Sequence, residues 1–193
     1  MIHSATSRPW MQTRHRNRFY FDDPREGFIT IRDIAYGIAG IYRFGGHSKP
    51  RITVAEHSVA VCVTVSLRHP GGRKLALAAL LHDASEAYLG DVSSPLKSMP
   101  EMAGYRDLEA ATQKCVAAKF KLPVELFSDP RIKAADIDCL AAEAYETMQP
   151  LDPGWAAWLA GATTIDVPPP VGWTPEVAEA RFLDMFYKIR GSS

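Results

Sequence analysis

Between Val54 and Leu67 apolar side chains fall on nearly every side of a helical projection, so this segment reads as a buried central helix. Its start is marked by Thr53-Val-Ala-Glu56, a capping box: the Thr hydroxyl takes one orphan backbone N–H and Glu56 reaches back to another. After the breaker His69-Pro-Gly-Gly72, an Ala- and Leu-rich run predicts a second helix over Arg73–Leu89, closed by Gly90. Amphipathic patterns predict further helices over Leu108–Lys121, Pro130–Met148 and Pro175–Arg190, the last with Ala178, Phe182, Met185, Phe186 and Ile189 on one face. Short helices are expected at Asp33–Tyr42 and Trp155–Ala160. Residues 91–101, with Pro95 and Pro100, read as a loop, and Val167-Pro-Pro-Pro170 as a stiff connector. The first 27 residues have no period, and no strand longer than a few residues is indicated. The pattern is that of an all-α bundle of about six to seven helices. It is expected to form one domain over 1–193: an arm or cap (1–32), a core (33–150), and a C-terminal connector and helix (151–193).

The length of 193 residues suits one domain with a substantial core. The 22 Lys+Arg balance the 22 Asp+Glu, which argues against a polyanion-coating protein and against a nucleic-acid polymer as partner. The balance hides an asymmetry. Residues 1–51 hold nine basic side chains against four acidic ones, a basic front facing an acidic body. Cys62, Cys115 and Cys139 are an odd number in no metal-like spacing, and read as buried thiols of a reducing compartment. No signal peptide and no apolar run of spanning length is expected, so the chain reads as cytoplasmic, without a membrane partner.

The chemistry lies where ionisable residues interrupt greasy helices. His57 follows the capping box; His82 and Asp83 end the run Leu75–Leu81; Asp136 sits in Ile132-Lys-Ala-Ala-Asp-Ile137. One buried histidine is usually a packed side chain, and a buried Asp is costly unless paired or bound to a metal. Together the four can satisfy a divalent cation, and two imidazoles with two carboxylates suit Mn, Fe, Co, Ni or Zn better than Ca or Mg. Adjacent helical residues differ by about 100°, so His82 and Asp83 can both reach an ion beside their helix. Glu86, four residues after His82, shares its face and can exchange a proton with an attacking water or a leaving group. Asp138 is a rival ligand on another face. Glu56 reads as a cap partner. Arg43, His47, Lys49 and Arg51 around the Gly45-Gly46 turn are either a solvated basic loop or a phosphate site, and Lys97 has the same two readings. Trp10, Phe19, Tyr20 and Phe21 read as arm aromatics docked on the domain, Trp155, Trp158 and Trp173 as packing, and His3, His15 and His69 as solvent-exposed.

His57, His82-Asp83 and Asp136 match the H…HD…D signature, and the chain resembles the HD-domain metal-dependent phosphohydrolases. His82-Asp-Ala-Ser-Glu86 with Gly90-Asp91, Pro95 and Lys97 is similar to the bacterial 5′-deoxynucleotidases of that group. Ile41-Tyr-Arg-Phe-Gly-Gly-His47 leading to Ala55-Glu-His-Ser58 is similar to small phage and bacterial HD proteins that include a dATP triphosphohydrolase. The likeness covers about Asp33 to Met148. It implies that His57, His82, Asp83 and Asp136 bind the metal, that Glu86 is the general acid/base, and that Asp91 lies near the sugar and the attacking water. It also implies that Arg43 meets the phosphate, with a one-residue offset, and that Phe44 stands where the deoxynucleotidases carry a tryptophan. The expected function is therefore removal of phosphate from (deoxy)nucleotides by one tightly held transition-metal ion, with Mg as a weak second ion and the protein a dimer or larger homo-oligomer. The alternatives are a degenerate module that binds nucleotide without turnover and, third, hydrolysis of another phosphoester.

Overall fold

Thr30, Thr53, Asp129, Asp152 and Thr174 each supply a side-chain oxygen to a backbone N–H at the start of a helix, and between these caps the chain is mostly helical. The computed structural model describes residues 8–191; His3 lies outside the described residues. A hairpin of β1 (Trp10–Gln12) and β2 (Arg18–Tyr20) pairs antiparallel, with Met11 opposite Phe19. Among the described residues nine helices follow: α1 (Ile31–Ala39), α2 (Val54–Arg68), α3 (Arg73–Leu80), α4 (Glu86–Leu89), α5 (Ser94–Lys97), α6 (Ala103–Phe120), α7 (Pro130–Thr147), α8 (Pro153–Leu159) and α9 (Pro175–Arg190). The all-α expectation holds. The count exceeds six to seven because the Arg73–Leu89 segment is two helices and the 91–101 loop contains α5 and a further helical turn at Pro100–Met102. No helix among the described residues is long and apolar enough to cross a membrane.

The division of Arg73–Leu89 is the main departure from the pattern. Residues 81–85 form tight turns, with Ala84 N–H donating to Leu81 O and Glu86 N–H to Asp83 O. Two side chains take carbonyls that a continuous helix would have used: His82 Nδ1 bonds Ala79 O at 2.8 Å, and Gln113 Nε2 bonds Leu81 O at 3.0 Å. An imidazole that competes for its own helix's carbonyl favours a break here, which hydrophobic periodicity does not register.

Helix α2 is the hub. Val54, Ala55, Val61 and Cys62 are fully buried, and α1, α3, α7 and α9 pack around it. Gly37 of α1 faces Ala87 of α4, and a Cβ there would lie 2.9 Å from the Ala87 backbone, so a glycine sets this approach. The arm docks through Phe19, fully buried and stacked on Tyr88 at 4.3 Å, with Phe21 against the core and Tyr20 against Phe28, whereas Trp10 is exposed. At the other end Ala178, Phe182 and Phe186 of α9 join the same core. A smaller cluster of Ala141, Ala144 and Leu159, with Phe44 and Trp155 against it, seats α8.

The Thr53 cap forms, with its hydroxyl accepting from Glu56 N–H at 3.1 Å, but the reciprocal half of the capping box does not. The buried Glu56 carboxylate accepts instead from the N–H groups of Val171, Gly172 and Trp173 at 2.7, 3.0 and 2.7 Å. It fastens the connector before α9 to the hub, a pairing 115 or more residues apart that no local pattern announces.

Candidate functional site

Helix α2 presents His57, the 81–85 turn presents His82 and Asp83, and α7 presents Asp136 and Glu143. His57, His82 and Asp83 offer ligand atoms that all lie within 4.8 Å of one another, a group that can hold a metal ion. Asp136 stands beside them, its Oδ1 at 3.0 Å from His57 Nε2 and 3.8 Å from His82 Nε2. His57 is fully buried, and its Nδ1 donates to Glu143 Oε1 at 2.8 Å, which turns Nε2 toward the cluster. His82 is fixed in the same sense by its bond to the Ala79 carbonyl. In the neutral ring its Nε2 then carries the lone pair; that atom is buried and has no hydrogen-bond partner, although Asp83 Oδ2 is 3.1 Å away. His57 Nε2 is hydrogen-bonded to Asp136 Oδ1, whereas His82 Nε2 has no such bond; a cation seated among these atoms would engage both nitrogens and the neighbouring carboxylates.

The electrostatics point the same way. Burial opposes charge on Asp83, yet His82, His57 and Arg43 hold its carboxyl well below the usual range. Burial and Arg43 oppose charge on His57, but Glu143 and Asp136 outweigh them and push the ring up to about 9. A proton there offsets carboxylate charge that a divalent ion can offset in its place. Glu86 behaves oppositely. It is buried with an unpartnered Oε2, and burial together with Asp83 and Asp91 pushes it up to about 10. Asp91 is raised as well, by burial and by Asp83, against Arg43 and Lys97.

These residues open on a cleft of about 1460 Å³. His82, Asp83, Glu86, Asp91, Asp136, Arg43, Phe44 and Lys97 all line it. Arg43 Nε donates to Glu143 Oε2 at 2.8 Å and its NH1 lies 3.9 Å from Asp83, so it is built into the site rather than waving from a solvated loop. Lys97, also on the lining, bonds Glu109 at 2.9 Å. His47 is a correction: it is exposed and does not line the cleft, because Gly45 and Gly46, at φ 59° and 80°, turn the chain away after Phe44. Asp138 is excluded as a ligand, since Arg68 NH1 at 2.6 Å and Thr163 N–H at 2.8 Å occupy its carboxylate. Trp158 is not packing: it is 60% exposed at the cleft wall, beside Trp155.

The basic front does not face the cleft as a whole. Of its nine cations only Arg43 lines it; Arg8 and Arg25 pair with Asp22 and Asp23, and Arg14, Arg18 and Arg51 lie over Tyr36, Trp10 and Tyr42. The cleft's other cations, Lys97, Arg106, Lys114 and Lys133, come from the acidic body. Glu143 is the residue that sequence reasoning missed. Its signal was its place seven residues after Asp136, two turns along the same face of α7.

The chain is 37% identical over 142 residues to the uncharacterized protein RCAP_rcc00048 of Rhodobacter capsulatus, covering 71% of this chain and 72% of that one. It is 34% identical over 134 residues to the uncharacterized protein YfdR of Escherichia coli (strain K12), covering 69% and 70%. No family model matches.

Proposed function

We propose that this chain, which belongs to the family of Escherichia coli YfdR and Rhodobacter capsulatus RCAP_rcc00048, is a metal-dependent phosphohydrolase of the HD type that removes phosphate from (deoxy)nucleotides. One observation carries the reading: buried His82 Nε2, with no hydrogen-bond partner, clusters with His57 and Asp83, with Asp136 hydrogen-bonded to His57 Nε2, on a cleft that the buried Glu86 also lines. His57, His82, Asp83 and Asp136 would hold a transition ion such as Mn, Fe, Co, Ni or Zn, which when bound polarises a phosphoryl oxygen and lowers the pKa of a water. Arg43, braced by Glu143, offers its remaining N–H groups to the phosphoryl oxygens. Glu86 at a pKa near 10 carries its proton at neutral pH and hands it to the oxygen of the leaving nucleoside. Burial, with Asp83 and then Asp91 nearby, keeps that proton on Glu86, and Asp91 lines the cleft where it can meet the sugar. Lys97 adds positive charge to the cleft lining.

The test is phosphate release from ribo- and deoxynucleoside mono-, di- and triphosphates in the presence of Mn, Co, Zn or Mg. His82→Ala and Asp83→Ala are expected to lose bound metal and turnover together. Glu86→Ala is expected to keep the metal and slow kcat by roughly 10²–10⁴-fold. Metal-loaded protein that binds nucleotides but frees no phosphate from any of them would make it a nucleotide-binding module instead.

A further inference from the structure

We propose that Trp155 and Trp158 of α8 form a stacking site for the nucleobase of the substrate, joined to its phosphate end through Phe44. The proposal rests on the nucleotide reading above. The two tryptophans are three residues apart, on one side of their helix, and both line the cleft. The packing needs of α8 are met by Leu159, which is buried in the minor cluster, and by Trp155 against it; Trp158 is left 60% exposed. A large indole held open on a cavity wall rather than folded into the cluster is a surface presented to a ligand.

The connection to the reacting end is direct. The Phe44 ring meets Trp155 edge-on at 5.9 Å, and the Arg43 guanidinium lies over the Phe44 ring at 5.6 Å. Phe44 holds this place with φ at 56°, a left-handed conformation that a bulky side chain seldom adopts. A path therefore runs from the phosphate-facing guanidinium along Phe44 to Trp155 and Trp158. The cleft of about 1460 Å³ exceeds the roughly 300–1,000 Å³ of ordinary small-ligand pockets, so a base, a sugar and a phosphate fit along that path together. Aromatic faces hold any base by its π-face. The site consequently grips the base without choosing strongly among bases.

Calorimetric titration of the full chain with a nucleoside, a nucleoside monophosphate and ribose 5-phosphate tests this, with tryptophan fluorescence as a second signal. The nucleoside and the nucleotide are expected to bind and quench, and ribose 5-phosphate to bind much more weakly without quenching. Trp158→Ala changes an exposed side chain and should keep the wild-type melting temperature while losing roughly 5- to 100-fold in nucleotide affinity, the range for one stacked base. Trp155→Phe should lose less. Equal affinity for nucleotide and ribose 5-phosphate, wild-type binding by Trp158→Ala, or no binding of nucleoside or nucleotide with or without Mn would overturn the proposal. If Trp158-dependent binding is found without phosphate release, the stacking site stands and the hydrolase reading falls. If phosphate is released with KM unmoved by either substitution, the hydrolase stands and the stacking site falls.

Discussion

Glu143 holds two groups at once. One oxygen accepts from His57 Nδ1 and the other from Arg43 Nε, both at 2.8 Å, and the side chain is buried. Burial opposes its charge, but Arg43 and His57 keep it ionised, below the ordinary glutamate range. It thereby sets both the direction of His57 Nε2 and the position of the guanidinium. Glu143→Gln, which cannot accept from both donors with full charge, is expected to weaken Mn or Co binding by about 10- to 100-fold, measured by calorimetry. Unchanged affinity would show that His57 is oriented by its packing alone. At this scale the sequence was informative: His57, His82, Asp83, Asp136 and Glu86 stood out as charges in apolar runs. Glu143 did not, since it lies in a segment rich in other acids and its partners are 86 and 100 residues away.

At the scale of elements, caps and breakers were the readable signals. The predicted Pro175–Arg190 helix has those bounds in the structure, and α7 differs from its predicted span by one residue. The β1–β2 hairpin was not readable, because its three-residue strands are too short for alternation to show. What secures it is Asp33 at the start of α1. This buried carboxylate accepts from Asn17 Nδ2 at 2.6 Å, from His15 N–H at 3.1 Å and from Thr30 Oγ1 at 2.9 Å. Burial works against its charge, but the bonds from Asn17, His15 and Thr30 hold its pKa below the ordinary value. A carboxyl depressed in the folded state contributes stability above the unfolded pKa of about 4 and loses it as pH falls through the folded value. Asp33→Asn is therefore expected to destabilise the protein at pH 7, by roughly 2 kcal/mol, and by progressively less below about pH 4. Urea denaturation of both proteins between pH 7 and pH 3 checks this, and a constant difference across that range would contradict it.

On the scale of the whole molecule the two ends of the chain are tied to the hub rather than appended to it. Glu56 is the tie for the C-terminal end, its carboxylate taking three successive backbone N–H groups ahead of α9. Removing it leaves those donors without their acceptor in a partly buried site. Glu56→Ala is expected to cost about 3 kcal/mol and to lower Tm by roughly 6–12 °C in a thermal melt, with Glu56→Gln in between. A shift of 1 °C or less would mean that α9 packing alone holds the connector. The charge asymmetry also changes meaning at this scale. The basic front keeps its excess charge but turns most of it elsewhere, with Arg8 and Arg25 on its own acids and Arg14, Arg18 and Arg51 over aromatic rings, while α5, α6 and α7 carry four of the five cations that line the cleft.

What the sequence determined by itself was local: which segments are helical, where they are capped, and which ionisable residues are too costly to bury without a partner. Helix periodicity, capping and desolvation act over a few residues, so they leave a mark that can be read along the chain. The tertiary structure alone decided the break at Leu81–Ser85, the fastening of residues 171–173 by Glu56, the bracing of His57 and Arg43 by Glu143, and the placing of Trp155 and Trp158 on the cleft wall. Apart from the local His82–Ala79 bond at the break, these features depend on hydrogen bonds or packing between segments far apart in the chain, and no rule of spacing within a single helix contains that information.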